Sequence, residues 1–527
     1  MIGGVQQHLE RLTSVDATFL HQEGRASHMH IGGVLVLEGP APAFEEFLEH
    51  IRSRMHRIPR YRQKLAFPPM DSGHPLWVDD PDFNIEYHVR HTGLPAPGTE
   101  DQLLNLTARI ASQRLDRSKP LWELWIVEGL EPAAPGEPDR FALLSKTHHS
   151  LVDGVSSFDL ATALFDLTEE PPAPDEAALV PWQPAPEPTP LELLISGVRG
   201  AVGTTAELAA GAIDAALNPN RAIGALKDRL EGMGLLAWAA LNPAPQTPLN
   251  VPIGPHRRFA VVRLPLSDLK EIKNAFGGTV NDVVLSVVSG SLRKWLHSRG
   301  LRTEGVELRA LVPVSVRTAD EKGALGNRLT VMRGPLPVYI SDPVTCLRVV
   351  SKEMDDLKES KQAVGAATLA AATDLAPPAV LAQASRLQFS TRLFNLLVTN
   401  IPGPQIPLYV LGRKALDLFP LAFLPEDHAL AVAIISYNGQ IEFGLLGDYD
   451  ALPDIDVIAD GIANTVAEML AQAREPNGHA PKQDPAAAET EKDSPRQDGS
   501  NILPTGNRSQ RRGPGADMRA KRPPRRP

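Results

Sequence analysis

The chain has 527 residues, of which 43% are hydrophobic and 22% charged. That balance supports real cores, and at about 150 residues per domain it allows about three domain-sized units. A formal net charge of −10 argues against general nucleic-acid binding, and the single cysteine, Cys346, excludes an intrachain disulfide and fits a reducing compartment. No apolar stretch approaches the ~20 residues needed to cross a bilayer. Met1-Ile2-Gly3-Gly4-Val5 lacks the basic start and apolar run of a secretory signal.

In chain order, residues 1–168 read as a first unit. Thr13-Ser14-Val15-Asp16 is a helix start that Asp16 is placed to cap. His30–Glu38 is an apolar, β-rich strand. Phe44, Phe47, Leu48, Ile51 and Met55 then follow helical spacing and stop before Pro59. Leu121–Val127 and Phe141–Lys146 read as strands, and a largely apolar helix is expected over about Val155–Leu167. Six basic residues between Arg52 and Lys64 suit phosphates or anionic head groups, or simply a solvated face.

Residues 169–256 form a connector. It opens as an extended stretch rich in Pro, Ala and acids and turns helical over 190–240, with a capping box expected at Thr204–Glu207. A second unit covers 257–473. There Phe259–Leu264 and Leu308–Val314 read as strands and Val280–Leu296 as a helix, while Leu430–Ser436 and Gln440–Leu446 form a hairpin around Asn438-Gly439. Residues 474–527 lack any apolar period and are expected to be disordered. From Arg508 onward eight Lys/Arg face one acid, Asp517, a tail suited to anionic lipid or to solvent.

The segment His148-His149-Ser150-Leu151-Val152-Asp153-Gly154 carries the chemistry. It places two histidines at a strand end and an acid four residues beyond the second. Transfer of an acyl group to an alcohol needs a base that removes the hydroxyl proton as the new C–O bond forms, and neutral imidazole suits that step. A thioester leaves as a thiolate, so one histidine serves both proton transfers without a covalent acyl-enzyme. Asp153 is placed to fix the imidazole tautomer or to hold the turn, and Gly154 permits backbone geometry that other residues resist. Other readings compete: a metal site, histidines without function, or a plain turn before a helix. No metal or cofactor is called for.

The same residues match the HHxxxDG signature of the chloramphenicol-acetyltransferase-like superfamily. More closely, the chain resembles the bacterial wax ester synthase/acyl-CoA:diacylglycerol acyltransferase family. That resemblance is carried by Leu12–Asp16, Met29-His30-Ile31-Gly32, Pro120-Leu121-Trp122 with Glu128-Gly129-Leu130, Asn281–Leu285 with Ser289–Arg293, Gly326-Asn327, Thr399–Pro404 and Ser436–Gly439. Together these span roughly residues 10–470.

The resemblance implies an α/β (α+β) fold of two acetyltransferase-like lobes joined by a helical linker, with the active site in a tunnel between them. It implies His149 as general base, His148 in a lesser supporting role, and Asp153 as mainly structural. It implies a long-chain acyl-CoA donor and an acceptor that is diacylglycerol or a long-chain alcohol. Asn281 and Asp282 are candidate substrate-binding residues, and Asp282 is equally placed to cap the helix that follows.

Two further readings stand beside this one: a condensation-type enzyme using carrier-protein thioesters, and a non-catalytic lipid-binding or lipid-droplet protein. The expected location is cytoplasmic, with peripheral contact to the inner membrane or a lipid-droplet surface.

Overall fold

The computed structural model describes residues 10–71, 73–151, 165–170, 181–196, 242–315, 329–359 and 389–475. Asp153, Gly154, most of the helix expected over Val155–Leu167, the capping box at Thr204–Glu207, Gly326-Asn327 and the tail beyond 475 lie outside those residues.

The first lobe begins with strand β1 (Glu10–Arg11) and helix α1 (Ser14–Gln22). Thr13 rather than Asp16 caps α1. Thr13 has the extended backbone an N-cap needs, and its hydroxyl oxygen accepts the Asp16 N–H at 3.1 Å. Next come β2 (His30–Glu38), α2 (Phe44–Arg54), β3 (Gln63–Ala66), β4 (Leu76–Asp79), α3 (Ile85–His88), β5 (Val89–Gly93), α4 (Glu100–Ala111), β6 (Trp122–Leu130) and β7 (Arg140–His148). The buried face of α2 carries Phe47, Leu48 and Ile51, as its periodicity requires.

The second lobe contains β8 (Arg257–Pro265), α5 (Leu266–Phe276), α6 (Val280–Ser298), β9 (Leu308–Ser315), β10 (Leu329–Leu336), α7 (Pro343–Glu359), β11 (Leu396–Pro402), β12 (Tyr409–Val410), β13 (Arg413–Leu421), β14 (Leu430–Tyr437), β15 (Gln440–Asp448) and α8 (Ile455–Arg474). The expected hairpin is β14–β15, and Asn438 and Gly439 both take the positive φ that its tight turn demands.

Two six-stranded sheets organise the molecule. One has the order β10-β9-β11-β14-β15-β8 and the other β12-β13-β2-β7-β6-β5. Strands β12 and β13 fall within 257–473 by sequence, yet they complete the first sheet: β13 runs antiparallel to β2 with Leu421 opposite Gly32. Strand β7 flanks β2 on its other side, and a Cβ at Gly32 would lie 1.9 Å from the Ser145 carbonyl oxygen, so only glycine fits there.

One core lies in each lobe, built around Trp122 and Phe47 in the first and Trp295 and Val287 in the second. A third apolar cluster joins the sheets, with Val34, Val36 and Phe419 from one packed with Phe259, Ala431 and Ala433 from the other.

The acidic, Pro-rich stretch is pinned rather than free over 181–196. Trp182 lies under the Arg62 guanidinium at 4.6 Å, Ala185 donates its N–H to Asp79 at 3.0 Å, and Glu187 pairs with Lys64 at 3.4 Å. Three other basic residues of that region are also engaged: Arg52 with Glu49, Arg54 with Asp166, and Arg60 with Glu10. Asp166, at the end of the expected Val155–Leu167 helix, instead forms an isolated bridge to Tyr409. Cys346 is buried, and burial pushes its thiol up to about 12.

Among the described residues no single helix is long and apolar enough to cross a membrane. The pair α5–α6 passes by composition but bends by 98°, and α6 is apolar because Val283, Val284, Val287 and Val288 are core.

Candidate active site

Strand β7 ends at His148, and His149 opens a short 3-10 turn, His149–Leu151. Two backbone hydrogen bonds hold the pair: His148 N–H to the Leu121 carbonyl at 3.0 Å and His149 N–H to the Met29 carbonyl at 2.9 Å. Met29 has φ of 51°, a left-handed turn that aims its carbonyl at His149 before β2 begins.

The half-buried His149 imidazole lies between two phenyl rings. Phe19, from α1, stacks on it with centroids 3.9 Å apart, and Phe423, just past β13, meets it edge-on at 5.6 Å. Nδ1 has no hydrogen-bond partner among the described residues. Burial in this apolar sandwich disfavours the imidazolium and brings the pKa down to about 4, so the ring is neutral and ready to take a proton at pH 7.

His148 is held differently. Its Nδ1 accepts the Ser150 N–H at 3.1 Å, which leaves the ring proton on Nε2, 3.9 Å from a carboxylate oxygen of Glu23. Glu23 is only 1% exposed at its side chain and is bound by Arg114 at 3.1 Å and by Arg117 Nε at 2.6 Å. Burial, and then the positive field of Arg117, brings the His148 pKa to about 3. His148 therefore has both a fixed tautomer and a fixed neutral charge, and its ring supports the turn on which His149 sits.

Asn281 and Asp282 lie in the other lobe. Thr279 caps α6, and Asp282 is the third residue of the resulting capping box: its carboxylate accepts both the Thr279 N–H and the Thr279 hydroxyl at 2.8 Å. Asp282 is thus committed to the helix start, though not as the cap itself. Asn281 accepts from the Asn400 side chain at 3.5 Å, which ties α6 to β11. Neither residue lines the cavity beside His149. The Asn400–Pro404 loop packs tightly on the hairpin, since a Cβ at Gly403 would lie 2.3 Å from the Ser436 carbonyl oxygen.

That cavity is a small crevice between the lobes, with room for little more than a water molecule. Its lining combines Met29, His30, Ile31, Leu144 and Lys146 from the first sheet with Arg257 and Leu446 from the second, closed by Leu421 to Leu424. Phe423 is a wall of the cavity and also touches the His149 ring.

Several site residues were not among the sequence candidates. Glu23 is the C-cap of α1, and Phe19 and Phe423 reach the site through tertiary packing, so none belongs to a local pattern. His30 was visible only as part of the Met29–Gly32 segment.

A model of the wax ester synthase/diacylglycerol acyltransferase catalytic domain matches residues 12–284, and one of the WS/DGAT C-terminal domain matches 325–470. The chain is 34% identical over 477 residues to a probable diacylglycerol O-acyltransferase, tgs1, of Mycobacterium tuberculosis, covering 88% of this chain and 96% of that one. A second protein of that organism, tgs2, is 31% identical over 471 residues, covering 86% and 97%. Among solved structures, the wax ester synthase/diacylglycerol acyltransferase from Marinobacter aquaeolei VT8 superposes with a TM-score of 0.61 at 27% identity, covering 88% and 99%. The starter condensation domain of rhizomide synthetase RzmA shares the fold, with a TM-score of 0.52 at 15% identity, covering 90% and 96%.

Proposed function

The chain belongs to the wax ester synthase/diacylglycerol acyltransferase family and is an acyltransferase, and we propose that it moves a long-chain acyl group from acyl-CoA to the hydroxyl of diacylglycerol or of a long-chain alcohol, with His149 as general base. The observation that carries this reading is the His149 ring itself: neutral, and clamped between Phe19 of the first helix and Phe423.

The step balances on one histidine. A bare imidazole nitrogen takes the hydroxyl proton as the alcohol oxygen bonds to the thioester carbonyl carbon. The tetrahedral intermediate then collapses, the C–S bond breaks, and the thiolate of CoA leaves with the electron pair. The imidazolium returns its proton to that sulfur, giving ester and free CoA. Written this way, the transfer requires no cofactor beyond the acyl-CoA donor. His148 and Glu23 act as positioning residues that hold the turn, Asp153 retains the mainly structural role that the resemblance implies, and Gly154 supplies backbone freedom to the motif.

Insoluble substrates call for contact with a lipid surface from the cytoplasmic side. Phe67, Met70, Leu191 and Ile195 support that reading, because they are exposed apolar residues on segments brought together by the Lys64–Glu187 contact. Failure to bind liposomes would remove the lipid-surface reading.

The test of the chemistry is thiol release from palmitoyl-CoA with dioleoylglycerol or hexadecanol, using His149→Ala as control. Release that requires an alcohol and disappears in the variant supports the base. Equal release by a folded variant refutes it.

A further inference from the structure

Phe19, the ring that stacks on His149, sits in the last turn of α1, and that turn is held from outside the helix. The last four carbonyls of a helix have no partners within it. In α1 the Phe19 carbonyl takes the Glu23 N–H at 3.1 Å, and the Leu20 carbonyl takes the Arg117 guanidinium at 2.9 Å. Arg117 also donates from Nε to the Glu23 carboxylate at 2.6 Å. One side chain thus grips a main-chain carbonyl and the C-cap residue together, as the planar fork of a guanidinium allows.

Arg117 stands in the loop between α4 and β6, which turns at Asp116 with the Ser118 N–H on its carboxylate at 2.9 Å. Four residues after Arg117, the Leu121 carbonyl holds the His148 N–H. The loop therefore grips the site twice, at the histidine pair and at the helix whose ring covers the base. The opposite wall is tied to the same place. Ser27, just past the end of α1, donates its hydroxyl to the Leu424 carbonyl at 2.7 Å, next to Phe423. Glu23 makes a cation necessary here, because its side chain is only 1% exposed and a buried carboxylate requires partners. Arg114 supplies a second contact to that carboxylate at 3.1 Å, and the His148 ring lies 3.9 Å from it.

We propose that Arg117 is a positioning residue for the acyl transfer: by bonding the Glu23 carboxylate and the Leu20 carbonyl at once, it fixes the last turn of α1 and so keeps the Phe19 ring on His149. The assignment rests on His149 as the base and adds a residue that acts on it through α1.

Among the described residues the rings packed on His149 are Phe19 and Phe423, both uncharged, and the adjoining His148 is neutral. Burial is what lowers the His149 pKa, so that pKa reports where Phe19 lies. Arg117→Met is expected to lower kcat roughly tenfold, as a displaced base does, with the KM for palmitoyl-CoA unchanged. In an NMR titration the His149 pKa of this variant rises from about 4 toward 6.5. The deciding protein is the double variant, Phe19→Ala with Arg117→Met. If Arg117 works through Phe19, its removal adds little once the ring is gone, and the double variant stays roughly tenfold below wild type. A loss of about a hundredfold, the product of the two single losses, means independent action and overturns the proposal. So does a loss confined to the KM for palmitoyl-CoA, which would make Arg117 a contact to the donor. If Arg117→Met does not fold, Arg117→Lys keeps the charge at Glu23 but brings one nitrogen where Arg117 uses two. A loss of about threefold in kcat with a partial rise in the His149 pKa then supports the proposal, and wild-type values of both refute it. Absence of thiol release by the wild type, or equal release by a folded His149→Ala, defeats the reading of His149 first and the role of Arg117 with it.

Discussion

Phe19 lies almost flat on the His149 imidazole, their planes 17° from parallel and their centroids 3.9 Å apart. This contact joins the first helix of the chain to the end of a strand more than a hundred residues later, and it does two things at once. It fixes the ring plane, and it removes water from one face of a group that must change charge during the reaction.

Replacing Phe19 by Ala re-admits water to that face. Since burial is what lowers the His149 pKa, the variant's pKa is expected to rise from about 4 toward the ordinary value of 6.5. Loss of ring orientation lowers kcat by roughly tenfold, the scale of a displaced general base. An NMR titration of His149 together with steady-state kinetics checks both effects. An unchanged pKa contradicts the role given to Phe19.

The same shift sets the acid limb of the wild-type rate profile. A base must be unprotonated, and a lowered pKa keeps it so further into acid. In the free enzyme kcat/KM should therefore hold level from pH 7 to about 5 and fall only as pH approaches 4. An apparent pKa near 6.5 in that profile would mean that a group other than His149, as placed here, controls the reaction.

Glu442 is fully buried on β15, and its carboxyl oxygen accepts the Leu418 N–H of β13, which links the two sheets. Burial, and then the nearby Asp417, pushes its pKa up to about 8 from 4.5. Between those values the folded protein keeps a proton that the unfolded chain has lost, so the contribution of this group to stability falls as pH rises through the window. Glu442→Gln carries no charge at any pH. It should gain stability over the wild type as pH goes from 5 to 8, reaching on the order of 2 kcal/mol at the alkaline end. Thermal unfolding of both proteins at each pH measures the difference.

Arg54 and Asp166 form a buried pair at 2.7 Å between α2 and the segment that bridges to Tyr409. Removing one charge strands the other away from water. Asp166→Ala should cost about 3 kcal/mol, whereas Arg54→Met combined with Asp166→Leu should recover much of that loss. A thermodynamic cycle by urea unfolding distinguishes this from simple loss of packing.

The local grammar of this chain was readable. The β14–β15 hairpin follows from Asn438-Gly439, β2 from its apolar, β-rich run, and α2 from its helical spacing. The cap of α1 lies three residues before the expected Asp16, because Asp16 and Thr13 are both capping residue types and only backbone geometry separates them. What the pattern of residues could not convey is partnership at a distance. Nothing in the residues of β13 says which sheet the strand joins. Glu23, Phe19 and His30 escaped for the same reason: each acts on the site through neighbours far away in sequence.

The passage of β13 into the first sheet also bears on how the protein is made. Strand β2 needs β7 on one side and β13 on the other. While the chain emerges from the ribosome, β7 arrives early, but the outer edge of β2 stays open until Leu421 has been synthesised. An open, apolar strand edge is a template for mispairing. The first half expressed alone should keep that edge, and a protein cut within the connector is expected to recover its first lobe only when the second half is supplied in trans. The two lobes are in this sense one folding unit, closed by a strand that comes late.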